Sequence, residues 1–292
     1  MVASAVAALA ASRRRRAQAQ VTRQLWVVGL TVLSAVVILV PVAWMVSAAV
    51  RPIREVLSYP PALWPKAFTL AYFVKIVHNH TYMSYFAHST ELAFGSLILS
   101  LFFGSLAAYG FSRFRLPGGN LMLMAILSLL MLPRVVLIIP YFRLSHVVHL
   151  YDTVPGLIVA NTAFLLPLST WLIKAYLDSI PHELDEAALI DGCTRFQTLL
   201  KVVAPLAVPG VVGVAAFIFI GAWNEYLLAV SLTETTHSQT LTVGLASFFG
   251  EYVRDWNGIM ALCTMSSLPL VVIFVLLQRW VVAGLGSGAV KS

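Results

Sequence analysis

Ser179-Ile-Pro-His-Glu-Leu-Asp-Glu-Ala-Ala-Leu-Ile-Asp-Gly-Cys-Thr-Arg-Phe-Gln-Thr-Leu-Leu-Lys-Val-Val-Ala-Pro205 decides the reading of this chain. The stretch is polar, acidic at its start and basic at its end, and it lies between two long apolar runs. Pro181 suits the first position of a helix, where no N–H partner is lost. Carboxylates at Glu183, Asp185 and Glu186 follow, and negative charge in a first turn complements the macrodipole. Leu184, Ala187, Ala188 and Asp191 are spaced to share one side. Gly192 fits the left-handed residue that ends a helix. Thr194 with Gln197 three residues later is a capping-box pattern for a second helix. Leu199, Leu200, Val202 and Val203 lead that helix back to apolar sequence, and Pro205 is expected to break it there. The reading is helix, tight turn, helix. The small side chains of Ala187 and Ala188 are expected to admit the groove of another protein. An amphipathic helix buried among lipid headgroups is a poorer fit, because anionic lipid favours basic residues over acidic ones.

The rest of the chain reads as membrane. Of 292 residues, 60% are hydrophobic and 11% are charged, and mean hydropathy is +0.87. A soluble domain carries about a quarter charged residues. The net charge of +7 marks inner loops better than nucleic-acid binding. Cys193 and Cys263 lie far apart and define neither a disulfide framework nor a zinc site. His78, His80, His88, His146 and His149 have no cysteine or carboxylate at ligand spacing, so no metal site is expected.

Six apolar runs are long enough to span a bilayer, at about 25–49, 89–112, 121–140, 154–175, 206–230 and 258–282. Residues 1–24 form an N-terminal tail with Arg13 to Arg16, residues 176–205 the polar loop, and residues 284–292 a C-terminal tail. The arginines follow the Ala-rich start, the wrong order for a signal peptide. With the N-terminus inside, 12 Lys and Arg fall on the inner side and 7 on the outer. This asymmetry places both termini and the polar loop in the cytoplasm. The expected fold is an all-α integral membrane domain of six transmembrane helices with a cytoplasmic helix-turn-helix loop. Prolines 41, 133, 155, 167, 209 and 269 lie in the spans, as kinks on a moving pathway or as ordinary members of membrane helices.

Glu186-Ala187-Ala188, three residues, Gly192, nine residues and then Val202-x-Ala204-Pro205 resembles the signature loop of ABC importer permeases. Val202 and Ala204 stand where Ile and Leu are usual. Ala222-Trp223-Asn224-Glu225-Tyr226 and the Gly-Ser-Gly-Ala-Val-Lys ending are similar to the carbohydrate-uptake branch, which includes the maltose permease G subunit. The resemblance implies a type I ABC importer transmembrane domain in a bacterial inner membrane, with a carbohydrate substrate and an external solute-binding protein. It further implies two ATPase subunits docked beneath, a second and different permease, and no nucleic-acid partner. Glu183, Glu186, Ala187, Ala188, Asp191, Gly192 and Pro205 would couple to the ATPase, and the C-terminal tail would reach toward it. ATP and Mg would sit on the partners and no cofactor on this chain. Gly286 with Lys291-Ser292 does not make a phosphate loop, because Val290 stands where glycine is required.

Ionisable and amide groups at membrane depth default to pathway or pairing roles. Asn161, Trp223, Asn224 and Glu225 are the expected pathway residues. Glu91 and Arg134 fit either span ends or an internal pair. Tyr82, Tyr85, Phe86, Phe248, Phe249, Tyr252 and Trp256 fit either a seat for the binding protein or an interfacial aromatic belt. Arg51, Arg54, Lys66, Lys75, Arg134 and Arg143 make the outer side basic, which leaves room for an anionic cargo such as a uronic-acid oligosaccharide or a sugar phosphate. Two rival functions are an ion-driven secondary transporter and a non-transporting scaffold. The first needs midplane ion sites and commonly an internal repeat.

Overall fold

The computed structural model describes the backbone of residues 2–59, 64–248 and 255–289; the side chains of 2–19, 21 and 281–289 are not described. Among these residues five helices are long and apolar enough to cross a membrane, and the count is six when one bent pair is taken as a single span. The chain divides into two compact units, Met1–Tyr72 with Trp256–Ala261, and Phe73–Asp255 with Leu262–Ser292.

In the first unit, α1 (Val2–Ala49) is a continuous helix. The expected tail of residues 1–24 is therefore helical from Val2 and runs into the first span without a boundary. Two of its hydroxyls are satisfied within the helix: Thr31 Oγ1 donates to the Val27 carbonyl and Ser34 Oγ to that of Leu30, both at 2.8 Å. A short helix α2 (Ile53–Val56) follows. Arg51 is buried rather than exposed: its Nε donates to Ser47 Oγ at 3.0 Å and its guanidinium lies 5.0 Å from the Trp44 ring centre. Asn257 Nδ2 donates to the carbonyls of Ala48 and Arg51 at 2.9 and 2.8 Å.

Next come α3 (Ala71–Val77) and α4 (His80–Arg113), the latter capped by Asn79 Oδ1, which accepts from the Thr81 and Tyr82 amides. The second span was expected from residue 89, and the helix starts nine residues earlier. Its 34 residues reach about 51 Å at 1.5 Å per residue, well beyond a hydrocarbon core. Ser89, Ala93, Ser96, Ser100, Gly104 and Ala108 form a buried stripe of small residues along it. Such stripes let helix backbones approach closely. A Cβ on Gly104 would lie 2.9 Å from Ser169 Oγ, inside normal contact.

In place of the straight helix expected over 121–140, two helices meet at 97°. The segment comprises α5 (Gly119–Ser128), a 3-10 turn Leu129–Met131, and α6 (Arg134–Val147). Pro133 explains the bend. It lacks an N–H and forces Leu132 to extended backbone, φ −73° and ψ 129°. α7 (Val154–Leu177) is capped by Thr153 Oγ1 and packs against α4 and α10.

The loop holds α8 (Glu183–Ile190) and α9 (Arg195–Thr198). Leu199–Val203 forms a π turn into α10 (Ala204–Trp223), with the Ala204 amide bonded to the Leu199 carbonyl five residues back. Pro205 therefore does not break the second helix as expected; the wider turn accommodates it in an unbroken run. The fifth span stops at Trp223 instead of running to residue 230. Asn224–Tyr226 is a helix break, followed by α11 (Leu227–Leu232) and α12 (Leu241–Ser247). α13 (Trp256–Ala289) continues through most of the expected C-terminal tail, and residues 290–292 lie outside the described residues.

Candidate functional site

The loop helix α8 has no side-chain cap at its start and a defined turn at its end. His182 is its N-cap, so Pro181 precedes the cap instead of occupying the first helical position. At the other end Gly192 has φ +86°, its amide donates to the Leu189 carbonyl at 3.1 Å, and the Cys193 amide donates to the Ala188 carbonyl at 3.0 Å. These two bonds define a Schellman ending. Two residues on, the Thr194 amide donates to Gln197 Oε1 at 2.9 Å and the Gln197 amide to Thr194 Oγ1 at 3.3 Å, a complete capping box.

The two faces of α8 differ. Glu183, Glu186, Ala187 and Asp191 are exposed, as are Leu184 and Ile190, the latter 86% accessible. Ala188 is buried and turned inward, so it is not on the open face with Ala187: neighbours in sequence point about 100° apart on a helix. Ile190 was not expected, although its apolar side chain beside an acidic turn was visible. Gly192 is exposed at the turn, and Pro205 is exposed on α10.

Asp185 is also buried, and its partner comes from α4. Arg113 Nε lies 3.0 Å from Asp185 Oδ2, with the two side chains 1% and 5% exposed. Arg113 Nη2 donates to the Ile180 carbonyl at 3.1 Å and Nη1 lies 3.4 Å from His182 Nε2. A cavity beside this pair is lined by Phe114, Arg115, Glu186, Leu189 and Arg195.

The expected pathway residues separate. Asn161 is buried between helices, where Nδ2 donates to Ser96 Oγ at 3.2 Å. Trp223 is buried, stacks on Phe219 and donates from Nε1 to the Ser266 carbonyl at 3.0 Å. Both make helix–helix contacts. Asn224 is exposed at the break, with Nδ2 bonded to the Ile220 carbonyl. Glu225 is buried and joins Arg134: Arg134 Nη1 donates to Glu225 Oε2 at 2.9 Å, while Glu225 Oε1 accepts from the Leu228 amide at 2.9 Å. Arg134 stays 47% exposed and lies 5.5 Å from the Phe164 ring centre. Glu91 is exposed and is not the partner of Arg134.

At the other end of α7, Asp152 takes φ +53° and gathers the 233–240 loop. Oδ1 accepts from the amides of Glu234 and Thr235 at 2.8 and 3.1 Å and from Ser238 Oγ, and Oδ2 accepts from Thr235 Oγ1 at 2.7 Å. Burial alone would raise the Asp152 pKa. The hydrogen bonds from Ser238, Glu234 and Thr235 outweigh it and hold the carboxyl at about 2. Tyr151 is pushed up, by burial and by the carboxylates of Glu234 and Asp152. Of the aromatic residues named above, Tyr82 stacks on Phe248 and Tyr85 is buried, its hydroxyl donating to Gln239 Oε1. Phe249 and Tyr252 lie outside the described residues.

Residues 100–287 match the family described as "Binding-protein-dependent transport system inner membrane component". The chain is 35% identical over 255 residues to the trehalose transport system permease protein SugB of Mycobacterium tuberculosis, covering 87% of this chain and 92% of that one. It is 32% identical to the trehalose/maltose transport system permease protein MalG of Thermococcus litoralis, covering 92% and 97%. Among solved structures it resembles a chain of a bacterial ABC transporter involved in the import of the acidic polysaccharide alginate, with TM-score 0.74, 21% identity and coverage of 88% and 96%. The fold is a type I ABC importer transmembrane domain. The chain belongs to the family of binding-protein-dependent inner membrane components, as a sugar permease subunit of an ABC importer. It is a multi-span membrane permease and not an enzyme; ATP hydrolysis falls to separate ATPase subunits.

Proposed function

We propose that this chain forms half of a sugar pathway, paired with a second and different permease, above two ATPases that bind ATP and Mg and below an external binding protein. α8 seats in a groove of one ATPase, with both chain termini and the loop in the cytoplasm. ATP-driven closure of the ATPases moves α8, and the spans alternate between inward and outward access. The observation that carries this reading is the shape of α8. Leu184, Ala187 and Ile190 form an exposed apolar surface beside Glu183, Glu186 and Asp191, while Asp185 and Ala188 anchor the opposite face. An isolated exposed apolar residue is ordinary; a small patch rimmed by charge on one helix suits a protein partner.

The cargo we favour is a neutral di- or oligosaccharide. Two of the six cations behind the anionic alternative are already engaged: Arg51 is buried against Trp44 and Arg134 pairs with Glu225. The names of the trehalose and maltose relatives support the same class. Purification of the tagged chain from its native membrane tests the assembly. Two ATPase copies and one different permease are expected to co-purify, and recovery of this chain alone, or as a homodimer without ATPase, would contradict the proposal.

A further inference from the structure

The short helix α8 hangs between two covalent joints, the 178–182 turn from α7 and the 191–194 turn to α9. The second joint leads through α9 into the π turn at Leu199–Val203, a geometry frequent at functional sites. If these were its sole attachments, a push on α8 would be absorbed by rotation at the turns. Besides packing against Leu199–Val203, α8 is held by side chains from the end of α4. Ser112 Oγ donates to Asp178 Oδ1 at 2.7 Å, while Lys174 Nζ holds the other Asp178 oxygen at 2.7 Å. The next residue, Arg113, bridges the Ile180 carbonyl and Asp185 from a buried position. Two successive residues of α4 thus grip the loop before α8 and α8 itself. The planar guanidinium suits this role, because from one rigid group it donates to the Ile180 carbonyl and sets its charge against Asp185.

We propose that Arg113 is a positioning residue for energy coupling: through Asp185 and Ile180 it makes α4 the lever that carries the movement of α8 into the spans. α4 packs along both α7 and α10, so displacement of its end moves that three-helix core. The π turn lets α10 follow at its own angle. This inference rests on the transporter reading and adds a load path to it.

The test uses the complete complex with its ATPases, its second permease and its cognate binding protein as isolated. Two quantities are read on each sample: ATPase retention, and the ratio of binding-protein-stimulated to basal ATP hydrolysis. Arg113→Gln is expected to keep its ATPases and to lose about fivefold or more of that ratio, within the range of ordinary coupling energies. Retained ATPases with an unchanged ratio would overturn the proposal. Should Arg113→Gln shed its ATPases, Arg113→Lys decides, since it keeps the charge but not the fork. A lowered ratio with ATPases retained supports the lever; an unchanged ratio, or loss of the ATPases here too, overturns it. A wild-type complex that shows no ATPases and no stimulation would defeat the transporter reading itself, and the lever with it.

Discussion

Arg134 Nη1 donates to Glu225 Oε2 at 2.9 Å, and this bond joins two helix breaks. Arg134 opens α6 just after the Pro133 bend, and Glu225 stands between α10 and α11. The second carboxylate oxygen starts α11 through the Leu228 amide. Glu225→Ala removes both contacts and is expected to destabilise the purified subunit by about 1.5–2 kcal/mol, the lower part of the range for charged hydrogen bonds because Arg134 is half in solvent. Glu225→Gln keeps an acceptor for Leu228 and is expected to cost less. Denaturant titration in detergent checks the order, and equal losses for the two variants would refute it.

Asp152 gives a pH dependence with a defined sign. Its folded pKa of about 2 lies below the ordinary value of 3.8. The bound carboxylate thus stabilises the 233–240 loop fully above the ordinary value, and that stabilisation is lost as pH falls through 3.8 toward 2. Asp152→Asn tolerates the positive φ but loses acceptor capacity. Amide exchange at Glu234 and Thr235, corrected for intrinsic rates, is expected to rise in the variant at neutral pH. Unchanged protection would remove Asp152 as the organiser of this loop.

Gly192 is the one turn position of the 178–205 loop with positive φ. Open space surrounds its Cα, so a side chain meets no clash and the cost of substitution is conformational. Gly192→Val is expected to destabilise the α8 ending by about 1–2 kcal/mol and to lower binding-protein-stimulated ATP hydrolysis, with Gly192→Asn closer to wild type. Equal activity of all three would contradict the ending as a coupling element.

The exposed face of α8 predicts ATPase retention. Ile190→Glu removes the most exposed apolar group on the helix, and Glu186→Lys reverses charge on the rim. Both are expected to reduce the ATPase recovered with the complex, while the fold, read by circular dichroism, stays intact. Full recovery with both variants would show that the partner seats elsewhere.

Gly104 tests helix packing. Gly104→Ala places a methyl 2.9 Å from Ser169 Oγ, and Gly104→Val adds branches that cannot be absorbed by one side-chain rotation. A loss of about 1–3 kcal/mol is expected for valine and a smaller one for alanine. Thermal unfolding of the two variants against wild type measures the difference, and a valine variant as stable as wild type would contradict close α4–α7 packing.

The parts legible in the sequence are those set by neighbouring residues. Gly192 and the Thr194–Gln197 box announce their geometry within four positions, and the apolar runs announce the spans by length. Pro133 marks a bend, though its 97° angle depends on what α5 and α6 pack against. The break at Asn224–Tyr226 hid inside apolar sequence, because Asn224 and Glu225 satisfy backbone groups with their own side chains. Pro205 reads as a breaker by itself, and the π turn before it removes the conflict. Arg113 and Asp185 lie far apart in the chain, so only tertiary packing reveals them as a pair. Asp152 left no local signal, since its four bonds come from a loop more than eighty residues away.

Reconstitution decides the central claim most directly. The complex is placed in proteoliposomes with its loaded binding protein outside and Mg-ATP inside, and accumulation of the delivered cargo is followed. Uptake is expected to require internal ATP and to persist when proton and sodium gradients are collapsed. Uptake that follows an ion gradient in the absence of ATP would contradict the account.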